Sequence, residues 1–180
     1  EQVPEMREKQ GFAVWITGLP ASGKSSITRE LVGKLNEQGV LPAVLGSDAL
    51  RSILTPEPTY SPEERDRFYL QMAQIGEMLC REGIPVIFDA TANRRQYRDH
   101  ARSRITSFLE VLVECPLELC RKRDPKSIYA AAEQGKAMSV PGFQAPFEPP
   151  VDPDVVVDGR NDPRISADTI FRQLKKRGDI

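Results

Sequence analysis

The residues best equipped for chemistry are Gly18-Leu19-Pro20-Ala21-Ser22-Gly23-Lys24-Ser25, a complete G-x-x-x-x-G-K-S turn. Glycines at its two ends let successive backbone N–H groups turn inward around a row of phosphates, and the following helix adds positive potential at its N-terminus. The turn therefore assigns Gly18, Ala21, Ser22, Gly23, Lys24, Ser25 and Ser26 to a nucleotide. Lys24 reaches the β and γ phosphates, and the Ser25 hydroxyl binds Mg²⁺. A guanine-reading N-K-x-D motif is absent from the sequence, so ATP with Mg²⁺ is the expected cofactor pair. The plainer alternative is a glycine turn with a stray lysine.

A gripped triphosphate needs an acceptor, and two further clusters offer one. Asp48 and Arg51 form D-x-x-R just beyond a short apolar run. Asp48 could take or align the proton of an acceptor hydroxyl, and Arg51 could offer a bidentate fork to an anionic substrate. The alternative is an aspartate capping a short helix beside a solvated arginine. In Val86 to Arg95, Asp89 ends a second apolar run, where an acid can hold Mg²⁺ through water, while Asn93 and Arg94 follow on the substrate side. Asp89 as a simple turn cap is equally open. Arg121, Lys122, Arg123 and Lys126 cluster further on and could close over the transferring phosphoryl, or simply suit a solvated helix end. Among these, Arg121 is assigned to ATP. The single histidine, His100, sits in a polar stretch and receives no chemistry.

The elements that would position these residues alternate as an α/β protein requires. Strand-like runs cover 12–17, 43–45, 85–88, 108–113 and 155–157, and helical periodicity covers the residues from the glycine turn to Gly39, 94–107, 116–122 and 165–176. Ser61-Pro62-Glu63-Glu64 reads as an N-cap, a first-turn proline and two acids, opening a long helix with Phe68, Met72, Ile75 and Leu79 on one face. The expected fold is a three-layer P-loop kinase: a parallel sheet, helices on both faces, and a lid. Prolines at 141, 146, 149, 150 and 153 mark a long irregular loop. It is either a lid over the site or a surface excursion packed by its own prolines. We expect one domain over residues 1–180, with 124–153 as the lid and 1–10 as a linker from an upstream domain.

Composition narrows the partners. Twenty-five basic residues balance 26 acidic ones without forming a tract, so no nucleic acid is expected. No apolar run is long enough for a membrane span, and the three cysteines lack a C-x-x-C pair, which suits a reducing cytoplasm without a zinc site.

Taken together, "QGFAVWITGLPASGKSSI", "SDALR", "YSPEERDR", "VLVECPLELCRKRDPKSIY" and "PFEPPVDPD" resemble the adenylylsulfate (APS) kinase family across nearly the whole chain. The resemblance implies MgATP-dependent phosphorylation of the 3′-hydroxyl of adenosine 5′-phosphosulfate, giving PAPS in sulfate assimilation. It implies substrate roles for Arg65 and Lys126, a homodimer as a frequent assembly, and a junction to a sulfurylase upstream. The chain also departs from the family's pattern. Gly46 stands for an acid, Phe68 for an asparagine, Thr91-Ala92-Asn93 for I-S-P, and Ser139-Val140-Pro141-Gly142 for G-F-T-G. Asp89 could replace the acid missing at Gly46. These changes fall on the acceptor side, where Phe68 and Asn93 would stand, and leave two alternatives: a kinase of another small anionic alcohol or nucleotide derivative, and a non-catalytic nucleotide-sensing domain of a fused sulfurylase.

Overall fold

A computed structural model describes residues 9–180. Most of the expected linker, residues 1–8, lies outside the described residues. Five strands, β1 (Ala13–Thr17), β2 (Ala43–Gly46), β3 (Val86–Asp89), β4 (Phe108–Glu114) and β5 (Val155–Asp158), pair in the order β2-β3-β1-β4-β5, all parallel. The apolar runs read from the sequence are these five strands. Because β1 is central and its neighbours β3 and β4 lead away on opposite sides, the crevice of the sheet opens at the C-terminal end of β1. The phosphate turn begins there.

Among the described residues, seven helices complete the layers: α1 (Lys24–Glu37), α2 (Ser47–Leu54), α3 (Pro62–Arg81), α4 (Arg95–Arg104), α5 (Leu117–Arg123), α6 (Ile128–Glu133) and α7 (Pro163–Arg177). Alternation along β1 sorts the core into two halves. Ala13 and Trp15 face α3 and α4 with Phe68, Met72, Phe88 and Tyr97, whereas Val14 and Ile16 face α1 and α7 with Leu31, Leu35, Ile170 and Leu174. Each such side chain, fully buried, contributes about 1.5–3 kcal/mol from water exclusion. The N-terminus of α3 forms as its sequence dictates: Ser61 Oγ accepts from the Glu64 amide at 3.2 Å, and Pro62 occupies the first turn.

A third apolar cluster holds the proline-rich segment. Tyr129, Ala132 and Val140 are buried with Cys120, and Leu19 and Ala21 of the phosphate turn pack against them. The segment thus rests on the turn rather than only on its own prolines. Its helix α6 was not anticipated. All three cysteines are free, and no helix among the described residues is long and apolar enough to cross a membrane.

Close packing between α3 and β3 depends on Gly76. A Cβ there would lie 2.2 Å from Cζ of Phe88, whose ring stacks on Trp15 at 4.4 Å and has nowhere to retreat. Gly76→Ala is therefore expected to cost about 1–3 kcal/mol of unfolding free energy, measurable as a lower denaturant midpoint at unchanged slope.

Candidate active site

The phosphate turn leaves β1 and enters α1 without a side-chain cap. Gly23 is the residue before α1 and has φ 105°, a left-handed backbone that glycine adopts without strain, and nothing lies within 3.8 Å of the Cβ it lacks. Ala21, at φ 63°, holds a similar conformation with a methyl group. The loop surrounds its own lysine: Lys24 Nζ donates to the carbonyls of Leu19 at 2.9 Å and Gly18 at 3.2 Å. Burial pulls the Lys24 pKa from 10.5 down to about 8, with Asp89 the main opposing influence. Ser22 Oγ is buried without a hydrogen-bond partner. A buried ammonium with only carbonyl partners, in a glycine turn that opens a helix, fits the oxygens of a polyphosphate.

Asp89 closes the other side of the turn. The Ser25 hydroxyl donates to Asp89 Oδ2 at 2.8 Å, so hydroxyl and carboxylate share one point in space, a donor pair that suits Mg²⁺. Asp89 is the register partner of both Gly46 on β2 and Ile16 on β1. The acid absent at Gly46 therefore has a counterpart directly across the ladder.

On the acceptor side, α2 carries Asp48 and Arg51 three residues apart, hence on one face. Gly46 precedes the helix and Asp48 lies within its first turn, so Asp48 is not its cap. The Asp48 carboxylate is 70% exposed and contacts the ammonium of Lys126, which reaches it from the segment opposite. Arg51, in contrast, is only 12% exposed. Its guanidinium lies 4.1 Å from the centre of the Phe68 ring and 5.0 Å from that of Tyr60, and it pairs with Glu64 at 3.4 Å. Glu64 also accepts from Thr59 and Tyr60, and the Thr59 amide foremost holds its carboxyl below the usual range. Phe68 itself has no exposed surface, so it reaches the crevice only through Arg51. Arg65 Nη2 donates to the Ser139 carbonyl at 2.8 Å, which ties α3 to the proline-rich segment.

Asn93 is buried, and its amide donates to the Pro146 carbonyl at 3.1 Å, while Arg94 pairs with Asp66 at 3.8 Å. Ala92 before it has φ 43°, a conformation that costs an alanine of order 1–3 kcal/mol. In the basic cluster, Arg121 pairs with Glu133 and lies 4.8 Å from the Phe143 ring, turned toward the segment. Arg123 stands nearer the turn: it donates to the Gly159 carbonyl at 2.8 Å, and its Nη1 is 4.0 Å from the Cβ position of Gly23.

Sequence reasoning passed over three contributors. Arg98 is buried with Glu110 at 3.0 Å beneath Ala92, and nothing in a polar helical stretch distinguishes it from its neighbours Arg94, Arg95, Arg102 and Arg104. Tyr129 anchors the segment to the turn by donating to the Pro20 carbonyl at 2.8 Å. A signal for α6 did exist: Asp124 before a proline and an alanine run, with the Asp124 carboxylate accepting from the amides of Tyr129 and Ala130. Tyr69 donates no such cue; its oxygen accepts the Ala92 amide at 3.2 Å.

A phosphate turn with its Ser25 hydroxyl bonded to the strand-end acid Asp89, and an exposed carboxylate at the start of α2, defines a P-loop phosphotransferase. Independent comparison narrows the class. The sequence profile of the adenylylsulphate kinase family matches residues 10–158, and the chain belongs to that family. It is 37% identical over 148 residues to the adenylyl-sulfate kinase of Rippkaea orientalis, covering 82% of each chain. With the probable adenylyl-sulfate kinase of Pyrococcus abyssi it shares 34% over 170 residues, 94% of this chain and 98% of the relative. The structure of the Mycobacterium tuberculosis APS kinase CysC in complex with AMPPNP and APS is similar with a TM-score of 0.87 at 30% identity, over 93% of this chain and 99% of that one. The chain is accordingly a kinase with an ATP site.

The lowered Lys24 pKa fixes a pH dependence. Phosphate oxygens favour the ammonium, so the bound-state pKa lies above the free value of about 8. MgATP affinity should be complete below that value and weaken as pH rises through it, with protons taken up on binding. Calorimetry in two buffers of different ionisation enthalpy, from about pH 7.5 to 9.5, measures that uptake, and Lys24→Met should remove it.

Proposed function

We propose that this chain transfers the γ-phosphoryl group of MgATP to the 3′-hydroxyl of adenosine 5′-phosphosulfate, producing PAPS. The observation that carries the reading is the pairing of Ser25 with Asp89 at 2.8 Å while Asp48 stands on the adjoining helix, within a chain of this family. Lys24 holds the outer phosphates. Ser25 and Asp89 are the residues that would hold Mg²⁺, which when bound supplies positive charge to the phosphate oxygens. Asp48 Oδ accepts the proton of the attacking hydroxyl, and Lys126, paired with Asp48, supplies positive charge beside it. Arg51 and Arg65 face the anionic acceptor from α2 and α3, with Asn93 on the third wall.

We take the chain as one kinase domain, with residues 124–153 as its lid, working in the cytoplasm on sulfate assimilation. A homodimer and an upstream fused domain complete the proposal.

Phe68 and Val140, both buried, favour testing a second acceptor class, a different small anionic alcohol or nucleotide derivative. A coupled assay comparing APS with a panel of nucleoside and sugar phosphates separates the two. Saturable PAPS formation at micromolar APS is expected; turnover confined to another alcohol overturns the acceptor assignment, and nucleotide binding without any turnover overturns the enzyme.

Within that assay Lys24→Ala is expected to lower kcat by about a thousandfold. Asp48→Ala should lower kcat by about 10²–10⁴-fold while leaving MgATP affinity nearly intact; a loss confined to ATP binding contradicts its role. Asp89→Asn should raise the Mg²⁺ concentration needed for half-maximal rate, and an unchanged Mg²⁺ dependence removes Asp89 from the metal site.

A further inference from the structure

Arg98 takes no part in the chemistry above, yet it touches the end of β1, the Ala92 turn and the proline-rich segment. It lies on α4 without exposed surface, and its guanidinium divides its donors among four chain segments. Nη1 donates to the Ala92 carbonyl at 2.6 Å and lies 3.4 Å from Thr17 Oγ1, on the last residue of β1 before the phosphate turn. Nη2 donates to the Glu148 carbonyl at 2.5 Å, in the proline-rich segment. Nε donates to Glu110 Oε2 on β4 at 3.0 Å.

Two of these contacts act on strained or irregular backbone. Ala92 holds φ 43° because its amide is pinned by Tyr69 and its carbonyl by Arg98. The next residue, Asn93, exchanges hydrogen bonds with the segment through the Pro146 carbonyl at 3.1 Å and the Glu148 amide at 2.8 Å. The Glu148 carboxylate in turn accepts the Arg95 amide at 2.8 Å, at the start of α4.

A buried ion pair is by itself a poor stabiliser, since apolar residues of similar volume often do as well. What they cannot do is aim parallel donors at carbonyls from separate stretches of chain, which the planar guanidinium does and an ammonium does not. We infer that Arg98 is a positioning residue for phosphoryl transfer: it fixes the Ala92–Asn93 turn and the Glu148 stretch against the end of β1, so that the acceptor wall exists before the acceptor arrives. This rests on the proposed acceptor side, where Asn93 and the 124–153 segment form that wall.

The test pairs kinetics with hydrogen exchange on the full chain. Arg98→Lys keeps the charge opposite Glu110 but loses the fork; Arg98→Met with Glu110→Gln removes the fork and leaves no unpaired buried charge. Both should keep the KM for MgATP within about twofold while the acceptor KM rises and kcat falls, each about tenfold, as for misplaced reacting groups. Exchange of the Glu148 and Arg95 amides should quicken. Equal losses toward both substrates, an unchanged acceptor KM, or unchanged exchange at those amides overturns the inference and leaves Arg98 a packing residue. If wild type ignores APS, the acceptor assignment has failed rather than this one. The kinetics then use whichever alcohol it phosphorylates, and with none, exchange alone decides.

Discussion

Three strand ends lie level across the sheet, and the site follows from that alignment. Gly46, Asp89 and Ile16 are register partners on β2, β3 and β1, so every side chain leaving those strands starts from one line. Two residues beyond Ile16 the phosphate turn begins; two beyond Gly46 stands Asp48. A slip of one residue in the β1–β3 ladder would rotate Asp89 to the opposite face and part it from Ser25. The buried aromatics Trp15, Phe88 and Tyr69 hold this register, because each side of the sheet has its own incompatible set of partners.

Local patterning made much of the molecule legible in advance. The glycine turn, five apolar runs and the Ser61-Pro62 cap each carry their meaning within a few residues, and all appear where they were expected. D-x-x-R was readable as a pair beside a short helix, though Asp48 lies inside the first turn rather than at the cap. What stayed hidden depends on tertiary partners. The burial of Arg51 between Tyr60 and Phe68 requires α2 to meet α3, and the role of Arg98 requires four distant segments to converge. An arginine among other arginines gives no sign of which one will be enclosed.

The two flanks of the crevice differ in how firmly they are built. On the β3–α4 flank, buried polar groups are paired with backbone from separate segments, and such networks specify one arrangement when every member is satisfied. On the α2 flank, Asp48 and Lys126 meet in solvent, where an ion pair is worth little and parts readily. The crevice thus opens between a fixed wall and an adjustable one. The phosphate turn stands beneath both, held by Tyr129, which donates to the Pro20 carbonyl and whose cluster covers Leu19.

Trp15 is the only tryptophan of the chain. It is enclosed, stacked on Phe88, and its indole N–H donates to the Ala90 carbonyl at 3.1 Å, two residues before the strained alanine. The protein therefore carries a single indole, which can be excited apart from its four tyrosines, wired to the floor of its own crevice. Its emission reads the strand ends without any label, and events at the molecule's surface leave it silent.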